Sequence, residues 1–234
     1  MILTILTLFP STIEGYLRES ILRIAQEKGL VRFRLVNFRD YSTDRHRTVD
    51  DRPFGGGPGM VLKPEPIFAA VEDAEAKDGP YRKVLLTPAG RRFDQALARE
   101  FAGEERLLLL CGRYEGFDER IRLGFHWDEV SVGDYVLSGG EIAALAVAEA
   151  TARLLPGALG DPESAEQESF TAGLLDFPQY TRPRVFRGMA VPEVLVSGDH
   201  EAVRRWREEA ARRRTAERRP DLRPEADPGA GTGG

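Results

Sequence analysis

A chain of 234 residues with 41% hydrophobic content is long enough to bury a real core, as one large domain or two small ones. A single cysteine, Cys111, excludes an internal disulfide framework, and the three histidines, His46, His126 and His200, stand too far apart for metal-ligand spacing. The formal net charge of −5 argues against a protein that coats polyanions over its whole surface, although arginine is dense near the C-terminus.

The opening MILTILTLF is too short to span a bilayer and lacks a basic flank and a cleavage site, so it reads as a buried strand of a cytoplasmic protein with no membrane partner. Runs rich in Leu, Ile and Val recur at residues 2–9, 31–38, 83–87 and 106–111, with helical periods between them. That alternation predicts an α/β domain with a mainly parallel, buried sheet. In the first crossover Ser11 and Glu14 have capping-box spacing, Leu17, Ile21, Leu22 and Ile24 form an inward stripe, and Gly29 supplies a stop. Further helices are predicted over residues 64–77 and 94–102.

Residues 141–155 form a helix that is alanine-rich and apolar nearly all round, suited to close packing against a neighbour, a dimer partner among them. Pro156 and Gly157 end it. The acidic stretch DPESAEQES over residues 161–169 reads as a linker, which places a domain boundary at residue 160. Asp199 can cap a long helix from 200 to 219, Pro220 stops it, and the closing PEADPGAGTGG is predicted to be disordered. On that helix Glu208 and Glu209 stand one turn before Arg212 and Arg213. It reads either as a solvated face of Glu–Arg pairs or as a stripe that contacts phosphates.

Four polar or glycine-rich stretches fall just after strands, where open α/β sheets keep their ligands. HRTVDDRPFGGGPGM (residues 46–60) offers backbone approach or a mobile lid beside polar groups, and LLTPAGRRF (85–93) is a strand end with a turn. In CGRYEGFDER (111–120), Tyr114 and Glu115 lie between two glycines, where a carboxylate could accept from ribose hydroxyls. VSVGDYVLSGGE (130–141) matches neither nucleotide fingerprint and carries no lysine for phosphates, which favours a neutral or cationic adenosine-type ligand. The plainer readings are a long exposed loop for the first, an ordinary connection for the second, and a helix N-terminus with acidic residues in its first turn for the third. For Arg153 the plainer reading is an ion pair with Glu149, and for Glu168 one more solvated carboxylate.

Taken in order, these stretches together with RLLPGALG, GLLDFPQYTRP and PEVLVSGDH resemble the bacterial tRNA (guanine-N1)-methyltransferases, of the SPOUT class of S-adenosylmethionine enzymes. The resemblance runs from about residue 2 to residue 219. It implies an α/β fold whose N-terminal, mainly parallel sheet carries a deep trefoil knot, plus a small, mostly helical C-terminal domain. The domains would be residues 1–160, a linker over 161–172, a tRNA-binding domain over 173–220 and a tail over 221–234. It implies a homodimer with composite active sites, S-adenosylmethionine as cofactor, tRNA as partner, and as target the guanine 3′ to the anticodon.

By the same resemblance, the cofactor would contact Leu86, Pro88, Gly112, Tyr114, Glu115, Gly116, Ser131, Val132, Gly133, Tyr135, Leu137, Gly139 and Gly140. His46, Asp50, Arg52 and Ser169 would bind the tRNA. Arg153 would support charge near the guanine O6, and Glu168 would take the N1 proton. The family carries aspartate where this chain has Glu168, so the carboxylate is displaced by about one methylene, and Asp161 and Glu166 are the other candidates. Ala89 replaces a polar residue common in relatives. Magnesium is an assistant the family implies, but the sequence shows no dedicated protein site for a metal. The rival readings are a knotted methyltransferase for another RNA site and an RNA-binding protein that has lost catalysis.

Overall fold

The computed structural model describes residues 1–159, 169–170 and 173–222. Asp161, Glu166 and Glu168, and the tail from residue 223, lie outside the described residues. The chain divides into two compact units, Met1–Gly160 and Asp161–Gly234.

The first unit is built on five parallel strands: β1 (Ile2–Thr7), β2 (Arg32–Asn37), β5 (Arg82–Arg92), β6 (Arg106–Cys111) and β7 (Asp128–Ser131), in the order β2-β1-β6-β5-β7. A two-residue antiparallel ladder, β3 (Asp50–Asp51) with β4 (Val61–Leu62), closes the base of the glycine-rich loop. Helices α1 (Pro10–Leu17), α2 (Ser20–Glu27), α4 (Gln95–Ala102) and α6 (Glu141–Ala152) cover one face of the sheet, packing on Leu3, Ile5, Leu107 and Leu109. Helices α3 (Pro64–Asp78) and α5 (Glu119–Gly124) cover the other, over Leu6, Leu85, Leu108 and Leu110. Burial on both faces is why β6 reads as an unbroken run of leucines and not as an alternation.

Three local expectations are corrected. The capping box of Ser11 and Glu14 does not form: Pro10 opens α1, Phe9 at the N-cap has no side-chain cap, and Glu14 instead pairs with Arg18. The proline pre-sets a helical φ one residue early, so Ser11 falls inside the first turn. The single first crossover helix is two helices, parted where Ser20 takes φ +48°. Strand β5 does not end at residue 87. Leu86 and Arg91 both pair with Val130, so residues 87–90 loop out and the strand resumes to Arg92. A side chain on Gly90 would lie 2.2 Å from the Val130 nitrogen, which only glycine avoids.

Helix α6 stops at Ala152, its final residues tightening into short bonds from Leu154 N to Thr151 O and from Leu155 N to Ala152 O. It is not buried all round, since Ile142 is 56% exposed.

In the second unit, β8 (Val185–Phe186) and β9 (Met189–Ala190) form a hairpin whose turn residues, Arg187 and Gly188, both have positive φ. The long helix is present as α7 (His200–Arg218), with Asp199 accepting from Ala202 N at 2.9 Å. Thr215, buried on α7, accepts from Leu175 N at 2.8 Å and ties the preceding segment to the helix. Among the described residues, no helix is long and apolar enough to cross a membrane.

Candidate active site

The carboxyl ends of β5, β6 and β7 and the start of α6 meet at one edge of the sheet, the place where an open α/β fold holds ligands. Two loops, residues 112–117 and 132–140, are fastened there. Gly140 N donates to Gly112 O at 2.9 Å, and Arg113 and Gly139 form an antiparallel bridge. The approach is so close that a Cβ on Gly140 would fall 2.7 Å from the Cys111 Cα. On its other side the 112–117 loop is tied to the glycine-rich loop, through Glu115 N to Met60 O at 2.9 Å and Leu62 N to Gly116 O at 2.9 Å.

Between these loops lies a cavity of about 370 Å³, and all the residues expected to contact a cofactor line it: Leu86, Pro88, Gly112, Tyr114, Glu115, Gly116, Ser131, Val132, Gly133, Tyr135, Leu137, Gly139 and Gly140. Its walls are largely glycine backbone and apolar side chains. No lysine lines it, and its two arginines are engaged, Arg113 with Glu141 and Arg122 with Glu119 and Glu129. The Glu115 carboxylate is exposed at the mouth. The volume lies in the range of small-molecule sites, roughly 300–1,000 Å³, and the donor set suits an uncharged or cationic adenosine-type group better than a triphosphate.

Under the cavity is a cluster that reading the sequence did not single out. Glu141, 2% exposed at the first position of α6, accepts from Thr7 Oγ1 at 2.6 Å and lies 2.9 Å from Arg113 Nη2. The Arg113 guanidinium sits 4.5 Å over the Phe9 ring and donates to Ser138 O at 3.3 Å. A carboxylate at a helix N-terminus is favoured by the helix dipole, and here it anchors the loop as well. The signal was available as an acidic residue opening an otherwise apolar helix. Burial pushes the neighbouring Cys111 thiol well above its ordinary pKa, with Glu141 adding to the effect, so it is an inert core group.

The remaining site residues are not in the cavity. His46 and Arg52 are exposed, and Asp50 lies on β3. The turn around His46 is organised by Asp44, whose carboxyl is lowered to about 2 by the Thr48 hydroxyl together with the His46 and Thr48 amides. Ser169, in the second unit, accepts from Asp176 N at 2.9 Å. Arg153 caps the far end of α6, roughly 18 Å along the helix from Glu141 at 1.5 Å per residue. The Glu149 carboxylate accepts from the Tyr16 phenol.

Fold and site together define a ligand-binding α/β protein whose cavity sits on glycine-rich loops at the carboxyl edge of a parallel sheet. Comparison with known proteins narrows this class. The profile of the family described as tRNA (Guanine-1)-methyltransferase TrmD matches residues 1–225. Among similar proteins, the tRNA (guanine-N(1)-)-methyltransferase of Symbiobacterium thermophilum is 55% identical over 231 residues, covering 97% of this chain and 93% of its own. Those of Geobacter sulfurreducens and Moorella thermoacetica are 56% and 54% identical, covering 93% of this chain and 89% and 88% of their own. The chain belongs to the tRNA (guanine-N1)-methyltransferase family.

Proposed function

We propose that the chain transfers the methyl group of S-adenosylmethionine to N1 of the guanine 3′ to the anticodon of tRNA, as a cytoplasmic homodimer with a trefoil knot at the cofactor site. The observation that carries this is the cavity, in which every residue expected at the cofactor lines one hollow without a free cation. Support for the knot comes from the mutual closeness of its three segments: Gly90 packs on Val130, and Gly112 and Arg113 bond to Gly140 and Gly139. Support for the dimer comes from Phe9, Tyr16 and Ile142, large side chains left exposed before α1, on α1 and on α6.

When bound, S-adenosylmethionine supplies an electrophilic methyl on a sulfonium. The chain must then hold the guanine in line and take its N1 proton. Glycine backbone in the 112–116 and 131–140 loops grips the cofactor, and Glu115 is free to accept from hydroxyls. Glu168 acts as the general base, a contribution on the order of 10²–10⁴-fold. Arg153, from the second protomer, steadies the negative charge that develops at O6, on the order of 10²–10³-fold. Its rigid, permanently charged fork suits that task. His46, Asp50, Arg52 and Ser169 contact the tRNA. Magnesium would sit with the substrate and the base carboxylate.

The test is to incubate a tRNA transcript with the cofactor and look for 1-methylguanosine after digestion. Wild type is expected to yield it. Gly140→Val, whose side chain would strike the Cys111 backbone, should lose cofactor binding by calorimetry and product together. Cofactor binding by wild type without any 1-methylguanosine would favour an RNA-binding protein without catalysis.

A further inference from the structure

The charges around the cofactor cavity do not cancel. Three charged residues line it, Arg113, Glu115 and Arg122. Arg113 faces Glu141, while Arg122 is held by two carboxylates, Glu119 at 2.9 Å and Glu129 at 3.1 Å. Among the described residues, two guanidiniums thus stand against four carboxylates, an excess of two negative charges. Since Arg113 and Glu141 neutralise each other, the surplus comes from Glu115 at the mouth and from the cluster around Arg122.

That cluster joins three elements. Arg122 and Glu119 belong to α5, and Glu129 belongs to β7, whose next two residues, Val130 and Ser131, line the cavity. Arg122 donates from Nε to Glu129, from Nη1 to Glu119 and from Nη2 to Thr87 Oγ1 at 3.4 Å, on the segment that β5 expels. One carboxylate would suffice to neutralise Arg122; the second makes this wall anionic. Glu129 is the stronger contributor, because its side chain is 36% exposed against 66% for Glu119 and water screens it less.

We propose that the Glu119–Arg122–Glu129 cluster is a charge filter, by which the cavity holds the cationic sulfonium of S-adenosylmethionine more tightly than the neutral thioether left after methyl transfer. The two molecules share the adenosine and the amino-acid zwitterion, and differ by one methyl and one positive charge. In the transfer the electron pair of the broken carbon–sulfur bond stays on sulfur. The guanine N1 forms the new bond to the methyl carbon and gives its proton to the base. The positive charge that the anionic wall favours is then gone from sulfur, and the product is loosened. Over roughly 8 Å, at effective dielectric constants of about 20 to 80, one unit charge changes the affinity for another by about 2- to 30-fold. The inference rests on the S-adenosylmethionine reading for the identity of the ligand, and adds to it the residues that tell cofactor from product.

The experiment is calorimetry on the full chain with three ligands: S-adenosylmethionine, its demethylated thioether, and sinefungin, whose amine stands in for the sulfonium. Wild type is expected to bind the two cationic ligands about 3- to 30-fold more tightly than the thioether. Glu129→Gln should cut that preference by about 2- to 10-fold with the thioether affinity kept, Glu119→Gln should do so by less, and Glu129→Asp should retain it. Arg122→Gln bares both carboxylates and should act with the opposite sign, raising the preference. A merely structural role would lower all three affinities together in Glu129→Gln and Arg122→Gln alike. That common loss, a preference that falls in Arg122→Gln, or equal affinities for cation and thioether in wild type would overturn the proposal. Tight but undiscriminating binding removes the filter alone, whereas failure of wild type to bind any of the three removes the cofactor reading and the filter with it.

Discussion

Glu141 shows how a single residue couples core to site. Its carboxylate is buried, holds Thr7 of β1 and Arg113 of the cavity wall, and sits where Gly139 leaves no room for a side chain. Glu141→Gln keeps an acceptor for Thr7 but leaves Arg113 without its counter-charge. Breaking a buried pair from one side costs about 3 kcal/mol, and the 138–140 loop should loosen with it. Denaturant unfolding and cofactor titration should therefore both report a loss. Stability within about 0.5 kcal/mol of wild type would mean that Arg113 finds water instead.

Residue by residue, the sequence was most legible where chemistry is carried by backbone. Glycines at 112, 139 and 140 announced close approach, and the structure brings them to one cavity. The acidic opening of α6 was legible at Glu141, but its pairing with Arg113 was not, because a long-range ion pair leaves no periodic trace. Arg153 and Glu168 drew attention only through the resemblance to a family; Arg153 lies at the far end of α6 and Glu168 outside the described residues.

Among the elements, β5 is the one that shapes the site. Its register shift at Leu86 and Arg91 expels residues 87–90, and Thr87 and Pro88 thereby reach the cavity. The bulge depends on Gly90 lying against the Val130 backbone. Gly90→Ala should force the strands apart and destabilise the chain by about 1–3 kcal/mol, with weaker cofactor binding. A thermal midpoint equal to that of wild type would show that the β5–β7 contact yields without cost. The strand end and turn read at Pro88–Gly90 are instead a register shift within a continuous β5, since local turn chemistry says nothing of where the chain re-pairs. Likewise the capping-box spacing was outweighed by Pro10, and α1 is parted from α2 where Glu19 is extended and Ser20 takes φ +48°.

At the scale of the molecule, the alternating pattern of apolar runs foretold a parallel sheet, and five parallel strands are found. The proposed knot rests on the resemblance and on the closeness of its three segments, and the proposed second protomer on the resemblance and on the exposed Phe9, Tyr16 and Ile142. Ile142→Asp places a charge there and should shift sedimentation from dimer to monomer, with loss of methyl transfer. An active monomer would rule out a site composed from two chains. The most direct measurement is methyl transfer from labelled S-adenosylmethionine to two tRNA transcripts that differ only in guanine or adenine 3′ of the anticodon, with wild type beside Glu168→Gln. Label on the guanine transcript alone, lost by on the order of 10²-fold or more in Glu168→Gln, is the expected result. Label on both transcripts, or undiminished label from Glu168→Gln, would contradict the assigned target or the assigned base.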